Sequence, residues 1–214
     1  MIDSKNLKKD KIHFPNVSRE TLRELEDYSQ SILNANKKIN LISSSTEKSI
    51  NSRHIYDSAQ TIDFIDKNDI KVCTDLGSWA GLPSIVLGIL MKPKKQGIKL
   101  IFYEKSYHKS NFLKDMVKKF KLEAKIYQKN NFEEKIIVTE VIICRAFKPL
   151  PVIFDIATKN FKNFKYIVMY LGKSGKTILK DVSQKWRFDI EQMKSLTSEE
   201  SSVVKISNLK KKYE

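Results

Sequence analysis

The sequence predicts an α/β fold: a mostly parallel sheet covered by helices on both faces, with a helical cap ahead of it. Three observations predict it. From residue 71 onward, short apolar runs alternate with helix-length runs, the pattern of parallel strands joined by crossover helices. One helix, Ser84 to Met91, is apolar almost throughout, as a helix pressed onto a sheet must be. The last two strand-like runs follow one another with no helix between them, which implies an antiparallel hairpin at one edge.

The elements follow in order. From Ser18 to Asn36, Leu22, Leu25, Ser29, Ile32 and Leu33 recur at helical spacing, and Ser18 suits an N-cap. A second helix is predicted over 46–65, with Ile50, His54, Ile55, Ser58, Ala59 and Ile62 on one side. These helices make residues 1–66 a cap within the same compact unit as the sheet domain, residues 67–214. Strand 71–76 leads to helix 83–92, with Pro83 read as a first-turn residue. Strand 98–103 leads to helix 106–120, and strand 124–127 to a short connection. Strand 140–144 leads to helix 150–160, and strand 166–171 to helix 174–186. Strands 188–193 and 202–207 bring the sheet to seven.

Composition narrows the partners. A hydrophobic content of 41% supports a core and argues against a disordered chain. The net charge is +15, and only five of the 40 basic residues are Arg, so part of the excess is a compositional lysine bias. Position argues for more than bias. Residues 91–129 hold twelve Lys against Glu104, Asp115 and Glu123, and residues 159–187 hold seven Lys and Arg187 against Asp181. Two such segments in one α/β domain make a basic face, for which a nucleic-acid backbone is the expected partner, ahead of a membrane surface. No apolar run is long enough to span a bilayer, and Met1 to Asp10 carries no signal-peptide core, so the expected location is the cytoplasm. Cys73 and Cys144 sit in apolar runs with no second ligand at metal spacing; buried thiols and no metal are expected.

In such a sheet, ligands bind beyond the carboxyl ends of the strands, near the point where strand order reverses. The stretch from Val72 to Pro83, VCTDLGSWAGLP, reads as a buried strand, an acidic end, a glycine-containing turn and a helix start. The turn aims main-chain N–H groups at a ligand, and its glycines allow close approach. A carboxylate at Asp75 suits a cationic amine better than a pyrophosphate, which favours S-adenosylmethionine over a dinucleotide. Glu104 ends the second strand, where it could take ribose hydroxyls or be a plain strand-end acid. Asn130-Asn131-Phe132-Glu133 follows the third strand and could border an adenine. Arg145 leaves the fourth strand as a salt-bridge partner, a substrate clamp or a phosphate ligand. The run Gly172-Lys173-Ser174-Gly175-Lys176-Thr177 imitates a nucleotide phosphate loop, but that pattern needs glycine where Tyr170 stands.

Taken together, Asn40-Leu41-Ile42-Ser43, Arg53-His54-Ile55-Tyr56-Asp57-Ser58, Asp75 through Pro83, and Arg145-Ala146-Phe147 resemble the bacterial 16S rRNA guanine-N7 methyltransferases, the RsmG or GidB family. The resemblance runs from about Leu22 to Lys211. It implies a Rossmann-like class I S-adenosylmethionine-dependent methyltransferase acting on small-subunit rRNA. It implies cofactor contacts from Asp75, Gly77, Leu82, Glu104, Phe132, Glu133 and Arg145, with Arg145, His54 and Asp57 as catalytic candidates at the pocket mouth. Arg53, His54 and Asp57 have a second reading, as a hydrogen-bond network that anchors the cap. Nothing in the sequence requires more than a monomer.

The sequence departs from the family pattern in three places. Trp79 and Ser84 stand where glycine is usual, and Leu171-Gly172-Lys173 exchanges the last two residues of Leu-Lys-Gly. An indole at position 79 must point away from the ligand, cover it or fill the pocket. The last outcome would leave an RNA-binding or ribosome-assembly protein on an impaired methyltransferase fold. A guanine N7 target needs no general base, because the neutral base carries a free lone pair there. Consistent with that, no Asn/Asp-Pro-Pro-aromatic run follows the fourth strand, and Cys144 is not preceded by Pro.

Overall fold

The computed structural model describes residues 14, 17–65, 69–93, 97–129, 136–145 and 147–212. Helix α1 (Arg19–Asn36) opens where expected: the Ser18 hydroxyl accepts a hydrogen bond from the Thr21 N–H, and Leu25, Tyr28 and Ile32 face inward. The second predicted helix is broken. A 3₁₀ segment (Ser44–Ser49) passes into a π turn (Asn51–Tyr56), then α2 (Asp57–Ala59) and, after Gln60 and Thr61, α3 (Ile62–Ile65). Its first half is rich in Ser, Thr and Asn, whose side chains compete for backbone groups and weaken regular helix. Thr46, Ser49 and Ser52 each bond to a carbonyl three residues back.

The sheet is built from β1 (Val72–Leu76), β2 (Lys99–Tyr103), β3 (Ala124–Tyr127), β5 (Val141–Cys144), β7 (Tyr166–Leu171), β8 (Trp186–Lys194) and β9 (Ser202–Lys211). Their order across the sheet is β3-β2-β1-β5-β7-β9-β8. β1 pairs in parallel with both β2 and β5, so the order reverses between β1 and β5. Two short strands, β4 (Ile137–Val138) and β6 (Phe161–Lys162), form a separate parallel pair that the sequence pattern does not reveal. The crossover helices are α4 (Ser84–Met91), α5 (Tyr107–Lys119), α6 (Leu150–Asn160) and α7 (Gly175–Ser183).

The final hairpin lies antiparallel at one edge of the sheet, as expected. β9 is its inner strand, between β7 and β8 and antiparallel to both, which leaves β8 outermost. Burial explains the order: Val203, Val204 and Ile206 are fully buried, whereas most of β8 faces solvent. Pro83 departs from its expected role. It stands just ahead of α4 as its N-cap, after a cis Leu82–Pro83 bond.

Both faces of the sheet are packed. On one, Leu25, Tyr28 and Ile32 of the cap share a core with Ile85, Leu87 and Ile89 of α4 and with Leu100 and Phe102 of β2. On the other, Ile153, Phe154 and Ala157 of α6 pack with Leu76, Ile142, Ile167 and Val204. Cys73 and Cys144 are buried free thiols, and burial pushes both well above the usual thiol range. Among the described residues, no helix is long and apolar enough to cross a membrane, and no cluster of three or more His, Cys, Asp or Glu could hold a metal ion.

Candidate active site

The reversal point between β1 and β5 opens a crevice at the carboxyl ends of the strands, and the loop after β1 forms its floor. Two glycines make that loop possible. Gly77 has φ +69°, and a Cβ there would meet the Phe147 ring at 2.3 Å; Gly81 has φ +88° and is enclosed by Ile85, Leu113 and the Tyr28 hydroxyl. The loop is pinned from several sides. The Gly77 N–H donates to the Tyr103 carbonyl at 3.0 Å, the Ser78 hydroxyl to the Asp75 carbonyl at 3.1 Å, and the Tyr28 hydroxyl to the Ala80 carbonyl at 2.7 Å.

Asp75, the penultimate residue of β1, is 2% exposed, and its Oδ2 has no hydrogen-bond partner among the described residues. Burial pushes its carboxyl up to about 7, against the opposing influence of the Ser84 and Ser78 hydroxyls, and the Glu104 charge adds to the rise. A buried carboxylate oxygen left unpaired is costly unless a cation or donor arrives to meet it. Glu104 is differently placed: Oε2 accepts from the Trp79 N–H at 3.0 Å and Oε1 from the Ser106 N–H at 2.8 Å. It therefore ties the loop to the end of β2.

Trp79 takes the left-handed conformation, φ +48°, that glycine adopts freely and a bulky residue adopts at a cost of roughly 1 kcal/mol or more. Its indole borders the crevice without filling it. The ring is 46% exposed, with the Lys109 ammonium 3.7 Å from its centroid. A cavity of about 120 Å³ remains, lined by Leu41, Ile42, His54, Gly77, Ser78, Trp79, Ala80, Leu82 and Arg145. Leu41 and Ile42 are set there by Asn36, whose Oδ1 accepts both of their N–H groups while its Nδ2 donates to the Ile42 carbonyl and to Glu47.

The structure thus brings Gly77, Leu82, His54 and Arg145 to one cavity, beside Asp75. Asp57 is not in it. That carboxylate lies behind Arg145, in a second cavity of about 230 Å³ with Arg53, Tyr170, Ser195 and Thr197. Its Oδ2 accepts from the Arg145 guanidinium at 3.0 Å, its Oδ1 accepts from the Ser195 hydroxyl at 2.8 Å, and its carbonyl accepts from the Tyr170 hydroxyl at 3.2 Å. Arg145 also donates to the Arg53 carbonyl and stacks on Tyr170 at 4.7 Å. Arg53 donates to the Thr197 carbonyl, and Gln60 bonds to Lys194 and Leu196. The Arg-His-x-x-Asp-Ser stretch therefore fastens the cap to the end of β5 and to the turn between β8 and β9. His54 is the exception. It lines the first cavity and shares a 2.9 Å hydrogen bond with Thr46; burial first, then Arg145 and Arg53, lower its pKa to about 4, so it is neutral at pH 7. Phe132 and Glu133 lie outside the described residues.

Sequence reasoning missed Asn36, Tyr28, Tyr170 and the hydroxyl-rich turn from Ser195 to Ser201. Asn36 ends an amphipathic helix, where a capping side chain is a legible signal; Tyr28, Tyr170 and Ser195 reach Ala80 and Asp57 across long stretches of sequence.

A model of the family "rRNA small subunit methyltransferase G" matches residues 21–206. The chain is 43% identical over 199 residues to Ribosomal RNA small subunit methyltransferase G of Pelagibacter ubique, covering 92% of this chain and 93% of that one. It is 34% identical to the protein of the same name from Rickettsia akari, covering 91% and 98%. Among solved structures, TYW2 of M. jannaschii in complex with AdoMet superposes with a TM-score of 0.56 at 17% identity, over 82% of this chain and 80% of that one. The last likeness is one of fold. The first three span the cap, the glycine loop and the hairpin alike, and with the crevice they carry one conclusion: this chain belongs to the rRNA small subunit methyltransferase G family.

Proposed function

We propose that the protein transfers a methyl group from S-adenosylmethionine to N7 of a guanine in 16S rRNA. The observation that carries this reading is the buried Asp75 carboxyl, whose Oδ2 has no hydrogen-bond partner among the described residues, beside a glycine loop at the reversal point of the sheet. A cofactor with a cationic amine fits it: Asp75 offers the counter-charge, and Leu41, Ile42 and Leu82 an apolar wall. Glu104 and the segment holding Phe132 and Glu133 are assigned to the nucleoside half. When bound, the cofactor supplies an electrophilic methyl.

This chain's own residues then need only orient the base and exclude water. N7 of a neutral guanine already has a lone pair, so positioning and electrostatics dominate over proton transfer. His54 suits that economy, since a neutral imidazole on the cavity wall holds geometry without taking a proton. Arg145 is fixed by Asp57 and Tyr170 and presents a rigid cation at the mouth, suited to a phosphate or to the guanine edge. Asp57 acts as a positioning residue through Arg145.

Exposed Lys105, Lys148 and Lys176 follow the ends of β2, β5 and β7 and put positive charge at the end of the sheet where the crevice opens, while Lys173 is paired with Glu200. Part of the remaining excess is neutralised within the fold, as in Lys92–Glu24 and Lys165–Glu140. The reading is tested by incubating small ribosomal subunits from a strain lacking the corresponding methyltransferase with the protein and S-adenosylmethionine. Borohydride–aniline cleavage is expected to reveal one new N7-methylguanine. Cofactor-bound, folded protein that leaves every guanine unmodified overturns it.

A further inference from the structure

We infer that Trp79 is a stacking platform for an unpaired base of the substrate RNA, and so a specificity-determining residue of this chain. The inference rests on the proposed RNA substrate and adds to it. Four observations carry it.

Trp79 holds a backbone conformation suited to glycine, so the indole is kept at an energetic cost and is not a core residue: it is 46% exposed. It borders the crevice on the loop between Asp75 and Leu82, next to the cavity proposed for the cofactor. Its N–H is fastened to Glu104, so the ring stands on a fixed main chain and loses little freedom when a base arrives. The Lys109 ammonium lies over the ring at 3.7 Å, and Tyr107, two residues earlier at the start of α5, is 61% exposed.

An aromatic face with a cation at hand is the pairing that single-stranded nucleic acid uses, the base stacking while the ammonium meets the phosphate. The other aromatic at this rim, Phe147, cannot serve in the same way, because its ring is packed against the Gly77 main chain.

The test uses the full-length protein and a labelled RNA hairpin with an unpaired guanine-containing loop. Trp186, the second tryptophan, is 4% exposed, so RNA-dependent quenching of emission reports on position 79. Quenching that saturates with RNA is expected in the wild type and absent in Trp79→Asn, a residue that tolerates the left-handed backbone and so keeps the fold. Anisotropy is expected to show RNA affinity about ten-fold or more weaker in Trp79→Asn and largely restored in Trp79→Phe.

The platform is overturned if Trp79→Asn binds the hairpin as tightly as wild type, or if S-adenosylmethionine alone produces the quenching and the variant's loss falls on cofactor affinity. Failure of guanine methylation by the wild type would instead strike the proposed function, and leaves these binding readouts to stand or fall separately.

Discussion

Two buried carboxylates, Asp75 beside the crevice and Asp57 behind Arg145, are opposites. Asp57 has every side-chain oxygen engaged: Arg145 on one, Ser195 on the other. Asp75 is more deeply buried, and its Oδ2 has no partner among the described residues. The first is a completed network, which specifies how the cap, β5 and the β8–β9 turn sit together. The second is incomplete in the folded chain, and its burial raises its pKa to about 7. The difference matters physically: breaking a completed buried network is costly, whereas a buried carboxylate oxygen without a donor opposes folding and would gain from a ligand that meets it.

Substitution at each carboxylate should move stability in opposite directions. Asp57→Ala leaves Arg145 without its counter-ion and takes from the Ser195 hydroxyl its carboxylate acceptor; a loss of about 3 kcal/mol or more is expected in denaturant unfolding. Asp75→Asn removes a carboxylate that must ionise in an unfavourable place. At pH 8 it should stabilise the ligand-free protein, by at most about 4 kcal/mol, the linkage value of a shift from 3.8 to about 7. Equal destabilisation by both would erase the distinction.

The pH dependence sharpens it further. Asp75 has a raised folded pKa, so its contribution is fully present below 3.8 and is lost as pH rises through about 7. His54 has a lowered one, so its contribution is present above 6.5 and is lost as pH falls through about 4. The two slopes oppose each other between about 4 and 6.5. Removing one exposes the other: Asp75→Asn should gain stability with rising pH across that window, by more than wild type does. Denaturation midpoints at a series of pH values would show a matching, flat profile for both proteins if the account is mistaken.

Smaller effects test the supports of the cavity. Asn36→Ala frees Leu41 and Ile42 and should cost about 1–3 kcal/mol, with a looser cofactor site read by calorimetry. Trp79→Gly relieves the left-handed backbone and should change stability least, by about 1 kcal/mol in the stabilising direction if the exposed ring contributes little packing.

Much of this was legible in the sequence, and the exceptions share a cause. Local signals located β1 and the glycine loop through the apolar run ending in Asp75, and Ser18 as the cap of α1. The run Ser84–Met91 announced a helix buried on every side, as it is. What local pattern could not supply was competition between distant segments. Asp57 and His54 sit three residues apart yet face different cavities, because a π turn carries one toward Thr46 and the other toward Ser195. The edge hairpin was expected, but that β9 and not β8 is its inner strand rests on a comparison of their apolar faces that no single window makes. Trp79 was readable as an anomaly but not as an outcome, since the direction of its ring depends on Lys109 and Glu104.

Calorimetric titration of S-adenosylmethionine into wild type and Asp75→Asn at pH 8 shows whether the Asp75 charge holds the cofactor. The variant, though the more stable protein, is expected to bind at least ten-fold more weakly. Equal affinity in the two proteins would contradict it.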